Sequence, residues 1–156
     1  MTKFFLTILT LCVLASAANT QTTEENLPAN ASLPVEATAD SLQVDSDANS
    51  AVFEGNAIVT QGILNLSADK ITVYFEDGAR NIKTVIAEGH VVFTNNTETA
   101  EAQNATFDVL SQTVTFSQNV ILRQAQTILT GNKLTYNITT SRSKMSGNVK
   151  TVFAPK

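Results

Sequence analysis

From Val35 onward, hydrophobic and polar residues alternate in short runs with a period of two. Successive side chains of a β-strand point to opposite faces of a sheet, so this alternation predicts strands with one apolar and one polar face. No window keeps apolar residues at helical spacing over three turns, so we expect essentially no helix in this region. The clearest runs are Leu64-Asn65-Leu66, Ile71-Thr72-Val73, Thr106-Phe107-Asp108-Val109, Val114-Thr115-Phe116 and Leu134-Thr135-Tyr136-Asn137-Ile138.

Short polar segments separate these runs and predict turns. The strands then recur about every 8 to 12 residues, which is the spacing typical of a sandwich, roll or barrel. The predicted turns are 45–50, 61–62, 76–80, 95–97, 111–112 and 139–142. The large apolar side chains are Phe53, Phe75, Phe93, Phe107, Phe116 and Tyr136. Two interpretations stay open, a packed core or an open trough between splayed sheets, because the pattern does not report how far sheets separate.

A weak four-fold repeat runs through the same region. Each unit has a small residue, two polar residues and an apolar-polar-apolar alternation. A Gly-Asn-like pair follows, and its Asn or His lies 17, 22, 17 and 17 positions after the first residue of the four units. Such repeats are typical of stacked units around a shared core. We predict an elongated all-β structure in which each unit contributes two or three short strands and each pair marks a turn. The units begin at Ala39, Ala68, Ala102 and Gly131, and the pairs are Gly55-Asn56, Gly89-His90, Gln118-Asn119 and Gly147-Asn148.

The first residues have the features of a secretory signal peptide. Lys3 provides a positive charge, residues 4–14 are mostly apolar, and Ala15-Ser16-Ala17 is a small-residue cleavage site. The apolar stretch is shorter than the roughly 20 residues that span a bilayer. We therefore predict a cleaved signal peptide at 1–17, a flexible leader at 18–34 and one β domain at 35–154. Cys12 is the single cysteine, so the mature chain would have neither a disulfide framework nor thiolate ligands.

The composition argues against nucleic-acid binding and against catalysis. The net charge is −4, and no basic stripe or aromatic-basic cluster is present. His90 is the single histidine, so a multi-histidine metal site is excluded, and we interpret it as a turn residue. No Gly-x-Ser-x-Gly nucleophile motif occurs, and the carboxylates fall mainly in predicted loops. We expect a non-enzymatic protein without cofactor or metal, in which Asp40 and Asp69 accept hydrogen bonds from backbone groups at strand entrances.

Two segments carry the most specific pattern of the chain. The first is Gly55-Asn56-Ala57-Ile58-Val59-Thr60-Gln61-Gly62 followed by Leu64-Asn65-Leu66-Ser67-Ala68-Asp69-Lys70-Ile71-Thr72-Val73. The second is Leu129-Thr130-Gly131-Asn132-Lys133-Leu134-Thr135-Tyr136 with Lys144-Met145-Ser146-Gly147. Both segments resemble the LptA/OstA family of periplasmic lipopolysaccharide-transport proteins. The resemblance covers residues 35–153, although 117–119 departs from the usual Thr-Gly-Asn pattern.

The resemblance implies a V-shaped β-jellyroll of successive antiparallel strands that holds the acyl chains of lipid A between its sheets. It also implies a periplasmic location after signal cleavage near Ala17. The implied partners are lipopolysaccharide, an LptC-like inner-membrane protein, an LptD-like outer-membrane protein and further copies of the chain stacked head to tail. An open roll leaves its first and last strands with free edges, which suit partner pairing. These edge residues are Val35, Glu36, Ala37, Val149, Thr151 and Phe153.

The candidate lipid-binding residues form two groups. By similarity to the family, the first group is Val35, Ala37, Phe93, Phe107 and Val109. The second group is chosen by alternation alone, and its side chains line either the core or the trough. Finding these side chains pointed to solvent would exclude the group. That second group is Leu64, Leu66, Ile71, Val73, Val114, Phe116, Leu134 and Tyr136.

Three other interpretations remain. An LptC-like protein shares the fold but keeps a membrane-spanning N-terminal helix, against which the short signal argues. A structural β-repeat envelope protein would share the strands but lack an opening of lipid size between its sheets. An enzyme is the least supported of the three.

Overall fold

The computed structural model describes residues 33–77 and 81–153, and the described residues form ten strands. The predicted signal peptide, most of the predicted leader, part of the predicted 76–80 loop and residue 154 lie outside them. The strands are β1 (Glu36–Thr38), β2 (Ser41–Asp45), β3 (Ser50–Gln61), β4 (Leu64–Phe75), β5 (Ile82–Asn95), β6 (Glu98–Asp108), β7 (Thr113–Gln124), β8 (Thr127–Asn137), β9 (Arg142–Ser146) and β10 (Lys150–Phe153).

All ten strands belong to one sheet, and every pairing in it is antiparallel. Strands β3 to β8 pair in sequence order. Both β1 and β2 pair with β3, and both β9 and β10 pair with β8, so each edge is a strand broken into two pieces. The prediction of an all-β structure of successive antiparallel strands is confirmed.

Three of the four Gly-Asn-like pairs are bulges inside long strands, so the prediction that they mark turns was wrong for those three. The fourth pair, Gly147-Asn148, lies between β9 and β10, where the edge strand is interrupted. The register of β3 shifts between Glu54 and Ala57, and β5 and β7 shift at the corresponding pairs. Gly55 and Asn56 both have positive φ, at 79° and 47°. Bulges and tight turns both need residues that tolerate positive φ, so the same residue types mark both. The four repeats correspond to the hairpins β2–β3, β4–β5, β6–β7 and β8–β9.

The bulges divide the sheet into two halves. The first half-sheet consists of residues 41–45, 50–54, 70–75, 82–88, 104–108, 113–117, 133–137 and 142–146. The second half-sheet consists of residues 36–38, 57–61, 64–68, 91–95, 98–102, 120–124, 127–131 and 150–153. We call the line of bulges between them the bend.

The two half-sheets face one another across the bend. The strand register places Tyr136 of β8 in the same row as Val85 of β5. Val85 lies eight positions before Phe93 on β5, and β5 and β8 are three strands apart in the sheet. A flat sheet would separate Phe93 from Tyr136 by about 30 Å. Their ring centroids are 6.2 Å apart. The sheet is therefore folded into a V, with its apolar face inside.

Small residues next to the bend allow the half-sheets to approach there. Ala57, Ala68 and Ala102 are all buried. A Cβ added to Gly131 would lie 2.7 Å from Cγ of Met145. Close packing thus explains the small residue at the start of each repeat, because a larger side chain there would push the half-sheets apart.

The true turns lie at the tips of the half-sheets, where polar segments predicted them, around 46–49, 62–63, 96–97, 109–112 and 138–141. The turn at Ala125 was not predicted, because its neighbours include no Gly, Pro, Asn or Asp; Ala125 has a φ of 49°. Among the described residues, no helix has the length and apolar character needed to cross a membrane.

Candidate functional site

The inner face of the V is apolar along almost its whole width. Strand pairing aligns inward residues into rows that cross every strand, because alternate residues share a face. One row of the first half-sheet is Leu42, Phe53, Ile71, Ala87, Ala105, Phe116, Leu134 and Met145. The facing row of the second half-sheet is Ala37, Val59, Leu66, Phe93, Ala100, Leu122, Leu129 and Thr151.

This interior is closed in the middle of the sheet. Ile71 and Phe116 are 0% exposed, and Leu122 is 2% exposed. The Phe93 ring packs on the Phe116 ring from the opposite half-sheet, with centroids 5.9 Å apart. Over these strands the two faces are in contact, so a guest molecule must separate them or displace side chains.

The candidates chosen by alternation all lie inside the V. Leu64 and Leu66 are half-buried and pack against the core. The other six are buried: Ile71, Val73, Val114, Phe116, Leu134 and Tyr136. None of the eight points freely into solvent, so the condition that would have excluded the group is not met.

The candidates chosen by similarity occupy three different environments. Phe93 is buried in the core, whereas Phe107 and Val109 are half-buried towards the tip of the first half-sheet. Val35 and Ala37 are exposed beside the β1 edge. The structure therefore does not bring the five together into a single pocket; they lie along the inner face.

Two inward residues that the sequence analysis missed lie at the same edge. Leu42 and Val44 on β2 are 57% and 66% exposed, although they share rows with Phe53 and Ala51 of the inner face. At the other edge, Phe153 on β10 is 74% exposed and Val149 is 50% exposed. The alternation Leu-x-Val within 41–45 was a usable signal for the first pair. The apolar interior thus opens to solvent at its N-terminal edge and carries an exposed aromatic ring at its C-terminal edge.

Polar side chains cross the mouth of the V opposite the bend. The Asn95 side-chain amide donates hydrogen bonds to Tyr136 Oη at 3.1 Å and to Glu98 Oε2 at 3.3 Å. Gln124 donates to the other Glu98 oxygen. Burial raises the pKa of Tyr136, a hydrogen bond with Ser141 opposes that shift, and the negative charge of Glu98 adds to it. Tyr136 thus combines a core ring with a hydrogen-bonded hydroxyl at the mouth.

Charge is polarised from one edge of the sheet to the other. Residues 33–61, which include β1 to β3, hold five acidic residues and no basic one. Residues 127–153, which include β8 to β10, hold four basic residues and no acidic one. The acidic residues are Glu36, Asp40, Asp45, Asp47 and Glu54, and the basic residues are Lys133, Arg142, Lys144 and Lys150.

Side-chain hydrogen bonds secure the bulges on the outside of the bend. Asn56 donates to Asp40 Oδ2 at 2.9 Å, and His90 Nδ1 lies 2.8 Å from Asp69 Oδ2. The prediction that these aspartates accept from backbone groups was wrong, because each carboxylate bonds a side chain of the facing bulge. His90 therefore has a structural partner.

Two shallow clefts of about 300 Å³ lie along the outside of the bend. Asn119 and Ile121 line both of them, with Gly131 in one and His90 in the other. Across residues 33–77 and 81–153, no group of three or more His, Cys, Asp and Glu side chains is arranged to hold a metal ion.

Known proteins are similar to this chain in sequence and in fold. A family model described as LptA/(LptD N-terminal domain) LPS transport protein matches residues 36–142. The lipopolysaccharide export system protein LptA of Escherichia coli K12 is 26% identical over 132 residues, covering 78% of this chain and 71% of that protein. A protein of Rhizobium meliloti is 22% identical over 144 residues, covering 85% and 77%.

A solved structure has the same fold. LptH of Pseudomonas aeruginosa, the LptA-homologous periplasmic component of a lipopolysaccharide transport device, superposes with a TM-score of 0.75. The match has 18% identity and covers 82% of this chain and all of LptH. The V-shaped folded sheet is thus the β-jellyroll of LptA-like proteins, as the resemblance implied. With the family model matching most of its length, the chain belongs to the LptA/LptD N-terminal domain family of lipopolysaccharide transport proteins.

Proposed function

We propose that this protein is a non-enzymatic periplasmic bridge that shields the acyl chains of lipopolysaccharide between its half-sheets during transit from the inner to the outer membrane. The observation that carries the proposal is the apolar inner face, which runs from Ala37 and Leu42 at one edge to Met145 at the other. Its membership of a lipopolysaccharide transport family supplies the ligand class.

Burial of acyl chains provides the binding free energy, at about 0.8 kcal/mol per CH₂ group. Because the half-sheets are in contact through Phe93 and Phe116, part of this free energy is used to separate them. Lipid is therefore held loosely enough to move on. Phosphates and sugars stay at the mouth, in contact with water.

The bridge forms when copies of the chain stack head to tail. Among the described residues, β1 and β2 have no strand on their outer side, and neither have β9 and β10. Such edges pair readily with another strand. The acidic N-terminal edge and the basic C-terminal edge attract each other, whereas two like edges repel, so the charges favour one stacking direction. An LptC-like protein and an LptD-like protein would cap the two ends.

The location depends on the N-terminal residues. Cleavage near Ala17 would release the chain into the periplasm, with residues 18–34 as a leader before β1. Mass measurement of the N-terminus in the periplasmic fraction tests this step. An uncleaved N-terminus recovered with membranes would favour the LptC-like interpretation.

Equilibrium binding of purified lipopolysaccharide tests the function. Phe107 points inward and is half-buried, and its neighbour Thr106 is exposed on the outer face, so the pair offers matched positions. We expect Phe107→Glu to abolish binding while the protein keeps its strand content, and Thr106→Glu to bind normally. If Phe107→Glu unfolds the protein, Phe107 is part of the core. Normal binding by both variants would contradict binding of lipid in the interior beside Phe107.

A further inference from the structure

The polar side chains at the mouth form one connected group with members on both half-sheets. Asn95, Glu98 and Gln124 belong to the last inward row of the second half-sheet, and Tyr136 belongs to the first half-sheet. Asn95 joins them, because its amide donates both to Glu98 and to Tyr136. We call these four residues the latch.

The latch exists only when the half-sheets are together. Asn95 and Tyr136 are 41 positions apart in sequence and lie on strands β5 and β8, which do not pair. They meet because the sheet is folded at the bend. Their hydrogen bond therefore breaks as soon as the mouth widens by a few ångströms, since hydrogen bonds weaken steeply beyond about 3.5 Å.

One side of the latch is held in place before the other side arrives. The Asn95 Oδ1 atom accepts hydrogen bonds from the backbone N–H groups of Thr97 and Glu98, at 3.1 and 2.9 Å, which fix the asparagine in its turn. Gln124 on the neighbouring strand bonds Glu98. A preorganised partner costs little further ordering when Tyr136 docks.

The latch covers the apolar contact beneath it. The Phe93 ring packs on Tyr136 at 6.2 Å and on Phe116 at 5.9 Å, so these rings fill the space between the latch and the bend. An acyl chain that occupies this stretch must lie between the rings. It cannot do so while the Tyr136 hydroxyl remains bonded to Asn95.

The N-terminal edge has a different arrangement. Leu42 and Val44 are largely exposed there, and the side-chain amide of Gln61 bonds the carbonyl of Leu33 beside its own half-sheet rather than across the mouth. Gln61 lies in the row of the second half-sheet that contains Asn95. The interior is therefore open at β1–β3 and latched at β5–β8.

We propose that the latch holds the half-sheets closed over β5–β8 in the lipid-free protein, and that it opens to admit an acyl chain to that part of the interior. This inference rests on the proposed function and names the contact that controls entry of acyl chains over β5–β8. The resting affinity is lowered by the free energy needed to break the latch, because binding must first populate the open state.

The test compares two tyrosine variants in binding of purified lipopolysaccharide. Tyr136→Phe removes the hydroxyl and keeps the buried ring, whereas Tyr74→Phe makes the same change on the outer face, where Tyr74 is 38% exposed. Loss of one hydrogen bond that binding must break tightens the affinity about threefold to tenfold. We expect this gain for Tyr136→Phe and no change for Tyr74→Phe. Equal affinity in both variants and in the unmodified protein would overturn the latch.

A distance measurement reports the opening itself. Spin labels on Cys substitutions of Asn96 and Leu110, exposed turn residues on opposite rims, report the width of the mouth. The protein is prepared without residues 1–17, the predicted signal peptide that contains the single cysteine. We expect a narrow distribution without lipid, a longer distance with lipopolysaccharide, and a broader, longer distribution in lipid-free Tyr136→Phe. An unchanged distance in Tyr136→Phe would contradict the latch.

The two experiments separate the possible failures. If neither the unmodified protein nor Tyr136→Phe binds lipopolysaccharide, the proposed function fails and the latch as a lipid gate fails with it. If both bind with equal affinity and the rim distance does not respond to the variant, the latch alone is wrong.

Discussion

The rings of Phe93 and Phe116 pack with centroids 5.9 Å apart although they come from opposite half-sheets of one folded sheet. Phe116 has no exposed surface, so its ring is surrounded on all sides. Truncating a buried phenylalanine removes transfer free energy and leaves a cavity, which together cost about 3 to 5 kcal/mol.

We therefore expect Phe116→Ala to lower the free energy of unfolding by about 3 to 5 kcal/mol in urea denaturation. Phe153→Ala is the matched control, because that ring is 74% exposed and should cost less than about 0.5 kcal/mol. Similar losses in the two variants would show that the half-sheets do not close on Phe116.

The bulge at Gly89 requires a residue without a side chain. Its φ is 76°, and an added Cβ would lie 2.3 Å from Asp69 Oδ2. We expect Gly89→Ala to destabilise the protein by more than about 1 kcal/mol, from backbone strain together with loss of the Asp69–His90 contact. His90→Asn is the control, because Asn56 makes the equivalent hydrogen bond to Asp40 in the bulge of β3. The melting temperature of His90→Asn should stay near that of the unmodified protein. A fully stable Gly89→Ala would refute this account of the bulge.

The turn after β6 makes stability depend on acid pH. The Ser111 hydroxyl and backbone N–H donate to Asp108, and these hydrogen bonds lower the pKa of its carboxyl. The unfolded carboxyl titrates near its usual pKa of about 3.9. The stabilisation is thus present above that pH and is lost as the pH falls towards the lower folded pKa. We expect Ser111→Ala to bring the NMR-detected pKa of Asp108 back towards the usual value, and an unchanged pKa would contradict the assignment.

Head-to-tail stacking should depend on salt and on the charged edges. In 1 M salt the Debye length falls to about 3 Å, so attraction between the acidic and basic edges is screened. Lys144→Glu reverses a charge on β9, and Lys83→Glu makes the same change on the central strand β5. We expect sedimentation velocity to show weaker association for Lys144→Glu and normal association for Lys83→Glu. Equal association by both variants, without salt dependence, would show that attraction between the charged edges does not contribute to stacking.

The sequence identified the inward face and the repeat, because both depend on local patterns. Alternation placed Ile71, Phe116 and Leu134 on one face, and the structure buries all three. The four units also correspond to real hairpins. Three of the four Gly-Asn-like pairs were wrongly interpreted as turns, because bulges and turns both need residues that tolerate positive φ.

The closure of the V could not be predicted, because it depends on contacts between residues far apart in the chain. The contact between Asn95 and Tyr136 is such a case. Nothing in either local segment indicates that the two meet. The same holds for the Phe93–Phe116 packing, which decides whether the apolar face is closed or open at its centre.

Photo-crosslinking at two adjacent positions tests the central claim, that lipid lies between the half-sheets. A photo-reactive amino acid replaces Phe107, which points into the V, or Thr106, which is exposed on the outside, and the protein is irradiated with purified lipopolysaccharide. We predict an adduct at 107 and none at 106. Adducts at neither position in a folded protein, or equal adducts at both, would contradict a lipid-lined interior.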